Sequence, residues 1–76
     1  IEIGGKMKMI SDIIELKKGD TIIVKDYARF ELMGFTKING DVFSIEEDTK
    51  NITIKCMETD TFESINIESG KIFLMN

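Results

Sequence analysis

The apolar positions of this chain change their period partway along it. From Met7 to Leu16 they fall three and four residues apart, at Met7, Ile10, Ile13 and Ile14, with Leu16 continuing the face. That spacing predicts a short N-terminal helix with one apolar side. Lys17 and Lys18 follow where cations suit the negative end of a helix dipole, and Gly19 is a natural stop. After Gly19 the period becomes two. Ile22 and Val24 point one way, and Thr21, Ile23 and Lys25 the other, and the β-branched run predicts a strand. A second alternation sets Phe30, Leu32, Gly34, Thr36 and Ile38 against Arg29, Glu31, Met33, Phe35 and Lys37. The link between the two runs, Asp26-Tyr27-Ala28, is short, which predicts antiparallel neighbours.

Asn39-Gly40 reads as a two-residue hairpin turn, because both positions tolerate positive φ. The next predicted strand turns Phe43 and Ile45 inward, and residues 46–50 form a charged turn. Ile52, Ile54 and Cys56 make the following inward row, with Thr53 and Lys55 facing out. Residues 58–61 turn the chain again. Phe62 is out of phase with Ile65 and Ile67, which predicts a bulge or a late strand start. Ser69-Gly70 is a further turn, and residues 72–75 a short closing strand. The expected fold is mainly β: a short N-terminal helix, then five or six antiparallel strands in a small barrel or bent sheet. No proline is present to protect strand edges.

The phrase Leu16-Lys17-Lys18-Gly19-Asp20, leading into a strand, and the order of elements after it resemble Sm-like and Src-homology-type small barrels. The likeness covers most of the chain without the specific Sm motifs, and it implies an architecture only.

Length and composition fit that picture. A chain of 76 residues makes one domain, 1–76, which buries about 60% of its unfolded surface. With 42% apolar and 32% charged residues the composition is globular. The opening IEIGGK precedes a natural start at Met7-Lys8-Met9, so residues 1–6 are expected to be an upstream remnant or an expression scar. No apolar run approaches the roughly 20 residues that span a bilayer, no secretory signal is visible, and a single cysteine allows no internal disulfide. A cytoplasmic protein is expected. The triplet Asn51-Ile52-Thr53 would matter only in a secreted chain.

Charge then narrows the function. The net charge is −4. Residues 40–70 carry Lys50 and Lys55 against Asp41, Glu46, Glu47, Asp48, Glu58, Asp60, Glu63 and Glu68. Nucleic-acid modules usually show a basic excess. There is no histidine, which removes every histidine-base mechanism. Cys56 sits in an inward row, and the carboxylates gather in turns where solvent keeps them ordinary, so no catalysis is expected. Glu46-Glu47-Asp48 lacks the spacing and glycine of a calcium loop, and zinc has no ligand set. The single glycine of Lys17-Lys18-Gly19-Asp20 falls short of a nucleotide loop. No metal or cofactor is expected.

What remains is binding. Apolar residues on both faces of the predicted strand 29–38, beside acidic turns, lead to a non-catalytic protein-interaction domain, with Met33, Phe35, Glu46, Glu47 and Asp48 meeting the partner. Fourteen isoleucines, and nine lysines to one arginine, have AT-rich codons. A small acidic inhibitor or adaptor of bacterial or phage origin fits this composition. The alternative is a single-stranded nucleic-acid barrel using Tyr27, Arg29, Phe35 and Lys37. A third reading is an assembly module that forms a homo-oligomer.

Overall fold

The computed structural model describes residues 7–75; the expectation for residues 1–6 lies outside them. Six antiparallel strands form one sheet: β1 (Met7–Ile10), β2 (Thr21–Lys25), β3 (Lys37–Glu46), β4 (Asn51–Cys56), β5 (Thr61–Asn66) and β6 (Lys71–Met75). A short helix, α1 (Ala28–Leu32), joins β2 to β3, and a 3-10 turn, Ile13–Glu15, follows β1. The order across the sheet is β1-β6-β2-β3-β4-β5. β1 and β5 do not pair with each other among the described residues, so the sheet is open rather than a closed barrel. No helix of the described residues is long and apolar enough to cross a membrane.

The mainly β reading holds, but several local readings do not. The expected N-terminal helix is β1 plus the 3-10 turn. Met7–Ile10 pairs with β6 from Met7↔Met75 to Ile10↔Ile72. Its helix-like spacing joins residues of different elements. Ile10 enters the core from β1, and Ile13 and Leu16 enter from the 3-10 turn, while Met7 and Ile14 stay exposed. The turn is capped by Asp12, whose side chain accepts from the Ile14 N–H.

The expected strand 29–38 is α1 and its exit. Asp26 takes a left-handed φ of 55° and ends the alternation of β2. At five residues α1 is too short to display a 3.6-residue period, and it buries Phe30 alone. Gly34, at φ 96°, closes it: the Gly34 N–H donates to the Glu31 carbonyl and the Phe35 N–H to that of Phe30. This Schellman pairing brings Phe35 back against the core.

Asn39-Gly40 is not a hairpin tip but the middle of β3. Gly40 pairs with Ile22 on one side and Cys56 on the other. The glycine is there for space: a Cβ would lie 3.0 Å from Ile54 Cδ1 and 3.1 Å from the Lys55 carbonyl oxygen. Beyond it a bulge shifts the register between Val42 and Ser44. Val42 therefore fills the core and Phe43, expected inside, is 51% exposed. The irregularity expected near Phe62 lies at Phe43 instead. β5 pairs without a break along β4, and Phe62 simply faces outward.

The core lies on one face of the sheet. Ile22, Val24, Ile38, Val42, Ile52, Ile54, Cys56, Ile65 and Ile72 point into it from five strands, joined by Ile10, Ile13, Leu16, Phe30 and Ile67. The sheet bends around this core. Arg29 of α1, just after β2, donates to the Ser64 carbonyl of β5, three strands away. Lys50, in the β3–β4 turn, pairs with Asp12 beside the 3-10 turn at 3.5 Å. Both contacts require the two halves of the sheet to curl toward each other, with α1 crossing the open side.

Candidate binding face

Cys56 is fully buried; desolvation pushes its thiol pKa up, and neighbouring Glu63 and Glu58 add to that while Thr59 opposes it. Among the described residues no group of three or more metal-ligating side chains comes together.

The residues expected to meet a protein partner fall in two separate places. Met33, 44% exposed, and Phe35, half-buried, belong to the exit of α1. Glu46 ends β3, and Glu47 and Asp48 lie in the following turn, so the length of β3 separates the two groups. Glu46, Glu47, Asp48 and Thr49 line a small cleft of about 240 Å³. Thr49 Oγ1 donates to Glu46 Oε1 within it, at 3.1 Å. The alternative set is dispersed as well. Tyr27 packs on Phe30 with ring centroids 4.9 Å apart, Arg29 is tied to Glu63 and Ser64, and Phe35 lies against the core. Of these, only Lys37 is on the exposed side of the sheet.

That exposed side carries the feature the sequence reading missed. By register, its residues alternate with the buried ones. Three phenylalanines stand on it, each with a lysine ammonium above the ring: Lys18 over Phe43 at 5.6 Å, Lys55 over Phe62 at 5.0 Å, and Lys25 over Phe73 at 5.5 Å. Phe43 and Phe62 meet edge to face, centroids 4.8 Å apart, and both are more than half exposed. Phe73 is half-buried; it pairs with Met9 on one side and Ile23 on the other. Ile23 is 6% exposed yet stands apart from the main core cluster, because these outer neighbours cover it.

Lysines run across one end of the same face. Lys71 is paired directly with Lys25, and Lys25 with Lys37, on three adjacent strands. Lys71 reaches Asp26 at 3.3 Å, whereas Lys25 and Lys37 have no ion pair among the described residues. The face also holds two carboxylates bound by its own donors. Asp41 accepts from Thr21 Oγ1 at 2.9 Å. Glu58 accepts from the Asn39 N–H at 2.9 Å and from Asn39 Nδ2 at 2.7 Å. Burial pushes the Glu58 carboxyl up, but these two hydrogen bonds and nearby Lys37 outweigh it and hold the group below the usual range.

Part of the signal lay in the phase of Phe62 against Ile65 and Ile67, which suggested a bulge or a late strand start and instead marks an outward-facing ring. Phe43 was hidden by the bulge, and the lysine row by pairings between strands remote in sequence. Comparison of the chain with protein-family models, with curated proteins and with solved structures finds no match.

Proposed function

We propose that this protein is a non-catalytic binding domain that engages its partner through the outer face of the sheet. The observation behind this is the set of three lysine-topped phenylalanines on a face that no other element of the described residues covers. The core lies on the opposite face, and Phe43 and Phe62, each more than half exposed, add little to it. Exposed aromatics beside cations are the usual stock of a recognition surface. This moves the contact from Met33, Phe35 and the acidic turn to Phe43, Phe62 and Phe73.

Affinity capture from cells tests the reading with two variants. Phe43→Ser with Phe62→Ser should lose the partner that the native domain retains. Glu46→Gln with Glu47→Gln should keep it. The opposite pattern would return the contact to the acidic turn and refute the proposal.

A second reading, self-assembly, rests on the sheet edges. β1 and β5 are unpaired on their outer sides among the described residues and carry no proline. Light scattering separates it: a mass near 8.7 kDa at high concentration excludes it.

A further inference from the structure

We infer that the ligand of the outer face is a single-stranded nucleic acid, its phosphates held by the Lys71-Lys25-Lys37 row and its bases stacked on Phe73 and on the Phe43–Phe62 pair. This rests on the proposal that the outer face is the binding surface.

The argument starts from the lysine row. Adjacent strands lie about 4.8 Å apart, so directly paired residues on one face are close neighbours. Like charges in such pairs disfavour the sheet. Here two such pairs are consecutive, in a chain whose acids outnumber its bases by 14 to 10. Acidic side chains to neutralise the row exist in plenty, yet among the described residues only Lys71 is in an ion pair, with Asp26, and Glu58 lies near Lys37 without pairing with it. A row of like-charged, solvent-facing ammonium groups on a sheet matches a repeating anion.

The rings narrow the anion to one with flat, stackable groups. A base has a π-face whatever its identity, and an aromatic side chain beside a cation receives it without sequence preference. The two ring sites flank a polar centre formed by Thr21 and Asp41, which are paired across β2 and β3. An acidic protein segment would satisfy the lysines but not the rings. A duplex would present its bases edge-on in grooves, out of reach of an exposed sheet face. The domain's net charge of −4 opposes any polyanion at long range, so the complex depends on these local contacts and is weak, in the micromolar range expected for few phosphate contacts.

The test is fluorescence anisotropy with labelled ten-nucleotide oligo(U) and oligo(dT), titrated with the full chain at about 50 mM and 200 mM salt. Binding should be saturable at low salt and fall as salt rises. Phe43→Ala with Phe62→Ala should weaken it about tenfold or more, the loss of one stacked base. Lys37→Ala should weaken it and flatten the salt dependence by roughly 0.7 in the log–log slope, one phosphate on a single strand. Lys8→Ala makes the same change in net charge away from this face and should leave affinity within twofold. Asp41→Asn should tighten binding. Circular dichroism of each variant confirms that it is folded. No binding at 50 mM salt overturns the inference, as does equal loss from Lys37→Ala and Lys8→Ala. If the oligonucleotides fail while the Phe43 and Phe62 variant still loses a captured protein, the outer face stands as the binding surface and the nucleic acid does not.

Discussion

Gly40→Ala, combined with Ile54→Val in a double-mutant cycle, probes the register of the central strands. Where the backbone permits, replacing glycine by alanine stabilises a protein by about 0.4–1 kcal/mol, because the unfolded chain loses freedom. Gly40 has ordinary strand φ, so that gain is available, but the space is not. The added methyl meets Ile54 Cδ1 at 3.0 Å, the Lys55 carbonyl oxygen at 3.1 Å and Ile54 Cβ at 3.4 Å. Forcing a methyl into a packed site costs about 1–3 kcal/mol. The net loss should be about 1–2 kcal/mol. Ile54→Val removes Cδ1 and alone costs about 0.5–1.5 kcal/mol. In the double variant the nearest obstacle is gone, though the carbonyl remains, so the pair should cost about 0.5–1 kcal/mol less than the sum. Urea unfolding followed by far-ultraviolet circular dichroism measures this, since the chain has no tryptophan and one tyrosine. With a slope of about 1 kcal/mol per molar urea, Gly40→Ala should lower the midpoint by about 1–2 M. At about 0.05–0.15 kcal/mol per residue the native domain has enough stability for each variant to remain folded. Strict additivity, or a midpoint raised by Gly40→Ala, would place Gly40 away from Ile54 and refute the register. A hairpin tip at Asn39-Gly40 gives no such coupling.

Two further outcomes follow from side-chain contacts. Arg29→Ala should cost about 1 kcal/mol, since it unties α1 from Glu63 and the Ser64 carbonyl while Glu63 keeps only 11% of its side chain exposed. Amide exchange should then quicken in β5 more than in β2, and equal change in both strands would refute the tie. Glu58, held below its ordinary value of 4.5, contributes stability that is present above that pH and lost as the pH falls through its lower folded value. Glu58→Gln should therefore lower the urea midpoint at pH 7, with the difference shrinking as the pH falls below the ordinary carboxylate range; a difference unchanged by acid would show that the Asn39 contacts do not favour the charged form.

β4 was legible in the sequence because it packs one face and shows it as an alternation, Ile52, Ile54 and Cys56 being buried where Thr53 and Lys55 are not, and β6 was legible as a short apolar run after the turn at Ser69-Gly70. β2 was legible for its β-branched run, although Ile23 is buried on the other side. The failures have a common cause in short elements. β1 and the 3-10 turn each contribute one or two core residues, whose combined spacing imitates a helix. α1 contributes only Phe30, and Leu32, 89% exposed, supplied a false alternation. Asn39-Gly40 has the chemistry of a turn, but the glycine answers a contact with Ile54, a residue fourteen places along the chain that no local pattern reveals. The candidate face was illegible for the same reason. Lys71, Lys25 and Lys37 become neighbours only once β6 is placed between β1 and β2.

That placement of β6 also governs how the chain assembles during synthesis. Strands β2 to β5 neighbour one another in the order they are made, so each can pair as it emerges. Of the six strands β1 is made first, and its only strand partner among the described residues is β6. At ribosomal speeds of about 5–20 residues per second, Met7–Ile10 waits several seconds for residues 71–75. Until then the free side of β2, with Ile22 and Val24 half covered, is open to any extended segment nearby. A nascent chain stalled before Lys71 would hold four paired strands, β2 to β5, with an open edge at β2 and β1 unattached, a natural target for chaperones and a seed for pairing between chains on one polysome.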